Sequence, residues 1–225
     1  MPQPPQADLA NDLANDLAND LASDLAYVRN LAERGAHAPL VSGRYYVVWG
    51  GLMTAASLLV YLNALGVVKF GVAGFMAPWI VALVVGWVVS YVMRKDVGGK
   101  PGAATLGNKT AGSVWYAVGL MMTILFGALL FAHDNYASAG IPDYFLFSMV
   151  YPIGFGLYGV AFWATSTAAR VNWLKYFAFA SWAFSAFLLF FLATSHQFLI
   201  GAVGLAVCVL TPGILLMRRE PATII

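Results

Sequence analysis

The chain has 225 residues, 61% of them hydrophobic and 10% charged, with twelve Lys and Arg against ten Asp and Glu. Ordinary soluble domains carry roughly 25% charged residues, so this balance excludes a conventional water-soluble globule. Six of the ten acids lie before Gly35, leaving only Asp96, Asp134, Asp143 and Glu220 beyond it, and the single Cys208 rules out a disulfide framework.

The chain begins with tetrapeptides, "NDLANDLANDLASDLAYVRNLAERG" from Asn11 to Gly35. Leu9, Leu13, Leu17, Leu21 and Leu25 recur four apart, so at about 3.6 residues per turn the stripe drifts by roughly 40° per step and is not a heptad. Asp8, Asp12, Asp16, Asp20 and Asp24 share that spacing and repel one another slightly, and Asn is a mediocre helix former. The early repeats are expected to be frayed. A helix is expected from about Ser23 to Arg34, where Asp24 sits near the start, Arg34 in the last turn and Gly35 at a C-terminal cap.

Two readings of this arm stand side by side. One is an expanded, solvated tail. The other is a docking helix: Leu21, Leu25, Val28, Leu31 and Ala32 form an apolar stripe through which Ser23 to Gly35 meets a cytoplasmic protein partner. Five Asp residues disfavour a place on an anionic lipid surface. The first 40 residues have no basic start followed by an apolar core, so no cleavable signal peptide is expected.

Six apolar runs follow, approximately Tyr45 to Gly66, Phe70 to Met93, Gly112 to Ala132, Tyr144 to Thr167, Leu174 to Thr194 and Gln197 to Met217. Each matches the roughly 20 residues that a helix needs to cross a hydrocarbon core. Being continuously apolar rather than alternating, they read as helices and not barrel strands. The expected fold is all-α: a polytopic membrane bundle of six transmembrane helices in the lipid bilayer, with a helical or partly disordered N-terminal arm. Residues 1–43 form the arm, 44–217 the transmembrane domain and 218–225 a short tail. Eleven of the twelve basic residues fall on the side of the two termini and only Lys69 on the other, which predicts cytoplasmic termini.

"LAYVRNLAERGAHAPLVSGRYYVVWG" before the first run and "PGILLMRREP" at the end resemble stretches of a family of bacterial multi-pass inner-membrane proteins with no assigned activity. The likeness covers a minority of the chain, and the repeats before Ser23 depart from it. It implies a six-helix topology in the bacterial inner (plasma) membrane and no chemistry.

Two motifs invite a nucleotide reading and fail it. "GFGLYG", Gly154 to Gly159, lies inside an apolar run after Pro152, without the strand and exposed helix start that a dinucleotide site needs. Close helix packing explains it better. In "GAATLGNKT", Gly102 to Thr110, Asn108 separates the second Gly from the Lys and breaks the phosphate-loop spacing. No nucleic-acid partner is expected.

No ionisable residue occurs in the middle of any run, which argues against a proton-driven pump. The polar residues there are Thr54, Ser57, Asn63, Ser90, Thr123, Ser148, Ser181 and Ser185, expected to bond to their own helix or a neighbour. One convergence is available on the outer side: His133, Asp134, Asp143 and His196 would suit zinc, a general acid-base pair or, through the two histidines, a haem. Each also reads as an ordinary interfacial residue, and no cofactor or metal is expected. Small residues four apart at Gly50 and Thr54, Gly51 and Ala55, Thr123 and Gly127, and Ser181 and Ser185 predict close helix approach and offer faces for oligomerisation. Pro78 and Pro152 sit at similar depths, and "MRKD" echoes "MRRE", the pattern of three related hairpins. The expected function is a non-enzymatic membrane module, a regulatory, scaffold or accessory subunit. The alternative is a small transporter or permease for a neutral or lipidic solute.

Overall fold

The computed structural model describes residues 5–36 and 39–220, with side chains except those of 5–14, 31–36, 133, 134, 137, 143 and 144. Hydrocarbon offers backbone amides no water, so the apolar runs close their hydrogen bonds within helices. The order is α1 (Pro5–Ala36), α2 (Gly43–Ala64), α3 (Ala73–Gly98), α4 (Leu106–Phe131), α5 (His133–Ser138), α6 (Asp143–Ser148), α7 (Val150–Ala168), α8 (Leu174–Leu188), α9 (Ser195–Leu205) and α10 (Thr211–Met217). Six stretches are long and apolar enough to span a membrane: α2, α3, α4, Phe145–Ala168, Leu174–Phe191 and Ser195–Met217. No strand occurs among the described residues. The protein is a multi-pass membrane bundle.

The arm departs from expectation. Helix α1 is continuous over 32 residues, about 48 Å at 1.5 Å per residue, and starts at Pro5 rather than Ser23. Asp repulsion costs only a few tenths of a kcal/mol per pair. Leu and Ala fill half of each tetrapeptide, and Pro is well placed in a first turn. Leu17, Leu21, Leu25 and Val28 are all at least 60% exposed, so no described residue covers this part of the stripe. Leu31 and Ala32 lie outside the described side chains. The arm meets the bundle at α4.

In the bundle, α7 packs between α8 and α4, while α2 packs against α3 on one side and against α9 and α10 on the other. Glycines set the closest seams. A Cβ added to Gly50 would lie 2.7 Å from the Leu210 backbone nitrogen, and one added to Gly213 would lie 2.8 Å from Val47 N. Gly159 receives the Trp182 indole, Gly201 the Tyr151 ring and Gly204 the Phe155 ring. Of the expected small pairs, Gly50 and the Ser181–Ser185 pair serve seams. Gly51 and Gly127 have nothing within 4 Å of an added Cβ, so their faces are free. The glycines of "GFGLYG" abut Met122, Ser185 and Trp182 respectively, which is packing.

Prolines leave carbonyls without an intrahelical partner. Pro152 has no N–H for the Ser148 carbonyl one turn back, and Gln197 Nε2 donates to that oxygen at 2.8 Å. Before Pro212, the segment Ala206–Leu210 widens into a π-turn, and Thr211 Oγ1 donates to the Ala206 carbonyl at 2.9 Å.

Candidate functional site

Helices α3 and α4 lie at the two ends of the packing arc and share no extended seam. Tryptophan side chains occupy the gap between them. Trp87 Nε1, on α3, donates to Thr123 Oγ1, on α4, at 3.2 Å, and its ring meets Tyr116 and Trp49 edge to face at 5.7 Å. Trp49 Nε1 donates to Ser90 Oγ at 2.9 Å. Indoles hold helices farther apart than glycines do, and space remains behind them.

That space is two half-open chambers along the gap, walled by residues of α2, α3, α4, α7 and α9. The larger, about 680 Å³, lies toward the end that carries the termini and is walled by Tyr46, Trp49, Trp87, Trp115 and Tyr116, with Arg94 at its rim. The smaller, about 300 Å³, lies toward the opposite end between Phe75, Trp79, Phe126, Phe147, Tyr151 and Phe198. Both volumes fall within the range of small-molecule sites, roughly 300 to 1,000 Å³. Met53, Leu83, Met122, Tyr158 and Leu205 line both and form the waist between them. Two of the five are methionines, whose unbranched thioethers adapt to what lies beside them.

The polar residues of the spans largely bond as expected. Ser57 Oγ donates to the Phe198 carbonyl at 2.6 Å, which uses its only proton, so the Tyr151 hydroxyl is the donor in the Ser57–Tyr151 bond. Ser181 and Ser148 bond back to their own helices, and Ser185 donates to the Pro152 carbonyl at 2.6 Å. Asn63 folds the loop after α2, accepting from Phe70 N and donating to the Gly71 carbonyl, each at 3.0 Å. Among the described residues three buried hydroxyls, Ser42, Tyr46 and Thr54, close no well-formed hydrogen bond, though Tyr46 lies beside Ser42 and Thr165. Two of them, Ser42 and Tyr46, stand on the wall of the larger chamber.

The start of α2, whose Ser42 and Tyr46 stand on that wall, is fixed by polar ties. Asn108 accepts from Val41 N at 2.9 Å and donates to the Pro39 carbonyl at 2.9 Å and the Gly102 carbonyl at 3.0 Å. The residue that spoils the phosphate-loop spacing thus pins the strap before α2. Glu220, its side chain 5% exposed, forms an ion pair with Lys100 and accepts from Gly43 N at 3.0 Å.

The group His133, Asp134, Asp143 and His196, expected on the outer side, is only partly visible. Helices α5 and α6 open at His133 and Asp143, but the side chains of His133, Asp134 and Asp143 lie outside the described residues. His196 is exposed on the first turn of α9, whereas its neighbour Gln197 is 1% exposed and turned inward. Among the described residues no three His, Cys, Asp or Glu side chains converge. Sequence reasoning passed over Gln197, although the carbonyl orphaned by Pro152 was a signal that some donor had to meet it.

No protein-family model matches the chain, and neither the curated proteins nor the solved structures include a match.

Proposed function

We propose that the protein is a small transporter or permease for a lipidic solute, held in the two chambers and passed across the waist formed by Met53, Leu83, Met122, Tyr158 and Leu205. One observation carries the reading: two apolar chambers share five lining residues, two of them methionines, beside α3 and α4, the least buried of the six spanning helices. A bundle serving only as an anchor gains from filling such space, since each void forfeits packing. On this reading the end with the termini faces the cytoplasm of a bacterial inner membrane, supported by the placement of eleven of the twelve basic residues there. Reporter fusions active only outside the cytoplasm are expected to be silent at Ile225 and active near Asn135.

The direct test is movement of an acyl-labelled fluorescent lipid between leaflets of proteoliposomes. Exchange is expected to exceed that in protein-free vesicles and to fall back toward it in Leu83→Phe. Equal exchange with and without the protein contradicts the reading.

The uncovered leucines of α1 favour a second reading, a non-enzymatic module that presents its arm to a soluble protein. A partner retained by the full chain and lost on deletion of residues 5–36 supports it.

A further inference from the structure

We propose that the larger chamber is a head-group site for a single-chain amphiphile ending in an anion, a carboxylate or a phosphate, with Arg94 receiving the anion. This rests on the chambers being a solute site and adds the chemical class of the solute.

The lining of that chamber contains one fully charged side chain, Arg94, and no Asp or Glu. Among the described residues Arg94 has no carboxylate partner; its guanidinium lies 4.6 Å from the Tyr91 ring centroid. Stacking on an aromatic face leaves the N–H edge of the fork free for the bidentate geometry that suits carboxylate and phosphate oxygens. On the same wall the buried Ser42 and Tyr46 hydroxyls lie beside each other, and neither closes a well-formed hydrogen bond among the described residues. Thr165 Oγ1, which accepts from Trp115 Nε1 at 3.2 Å, is the other hydroxyl beside Tyr46. Buried hydroxyls left unpaired are costly, and an acceptor-rich head seated here gives both a partner.

Below the head, the wall is Trp49, Trp87, Trp115 and then the waist, with no further charge. A hydrocarbon tail finds there the apolar surface that drives it from water. A volume in the small-molecule range selects one chain over the bulk of a two-tailed phospholipid. The gap between α3 and α4, bridged at Trp87, gives such a molecule a way in from the bilayer.

The test is quenching of tryptophan fluorescence in the detergent-solubilised full chain by amphiphiles brominated along the tail, since Trp49, Trp79, Trp87 and Trp115 line the chambers. Three probes are compared: a long-chain fatty acid, its methyl ester and a lysophosphatidic acid. Either anion is expected to bind about tenfold or more tightly than the ester, the scale of a lost charge-assisted pair. Whichever anion binds tighter identifies the head as carboxylate or phosphate. Arg94→Gln is expected to erase the preference while leaving ester binding unchanged, and Arg94→Lys to retain part of it. Ester and acid binding equally to the wild-type chain, or Arg94→Gln weakening all three alike, overturns the head-group assignment and leaves an apolar chamber. If no probe quenches more than it does free tryptophan in the same micelles, the chamber reading itself falls.

Discussion

The seam between α2 and α10 and the gap between α3 and α4 are built on opposite rules. Toward α10 the contact residues are glycines, and Gly43, Gly50 and Gly213 each bring backbone against the facing helix with no room for a Cβ. Across the gap the contact residues are Trp49, Trp87 and Tyr116, which touch through ring edges and enclose space, although along the α2–α3 seam itself Gly74 and Gly86 take in Asn63 and the Trp49 ring. In lipid, where helices gain nothing from leaving water, association comes from close packing and shared hydrogen bonds. Residue size at a seam therefore decides whether two helices lock or stand apart. In this bundle the locked half holds the open half in place.

The largest effect should come from breaking the lock. Gly50→Leu drives a side chain into the Leu210 backbone and is expected to cost about 3 kcal/mol or more, read as a loss of thermal stability in detergent. Its neighbour is the control: Gly51→Leu meets nothing within 4 Å and is expected to stay within about 0.5 kcal/mol. Next is the carbonyl tie beside the smaller chamber. Gln197→Leu leaves the Ser148 oxygen unpaired in a buried site, for an expected loss of about 1–3 kcal/mol. Trp87→Phe keeps a ring between α3 and α4 but deletes the bond to Thr123. About 1 kcal/mol should be lost, with faster exchange of a chamber ligand. Smallest is the arm. Deleting residues 8–22 removes helix whose described side chains are all exposed, so bundle stability should not move. A clear drop in melting temperature would show that the arm is docked.

The spanning helices were legible because twenty apolar residues without charge have few other fates. Their ends were less so. Helix α4 starts at Leu106 rather than near Gly112, since hydropathy marks only the lipid-facing part while backbone bonding continues through Asn108 and Lys109. In the arm the Leu and Ala content of the repeat outweighs Asp repulsion, so the helix starts at Pro5 and not at Ser23. For the site, the wall residues were on view as tryptophans and methionines. Nothing in their spacing said that they would face one another across a gap, because a cavity is set by how far apart neighbouring helices stand. Asn108 was noticed for the motif it spoils and not for the strap it ties. His196 drew attention as a ligand type, while the adjacent Gln197 is the residue turned inward.

On this account the space beside α3 and α4 is kept for a ligand. Thermal unfolding of Leu83→Phe, with and without a long-chain fatty acid, tests it most directly. Adding apolar volume at the waist should leave the ligand-free protein as stable as the wild type or more so, because packing improves, and should abolish the rise in melting temperature that the fatty acid gives the wild type through binding to the native state. A fatty-acid stabilisation of the same size in both proteins would contradict the account.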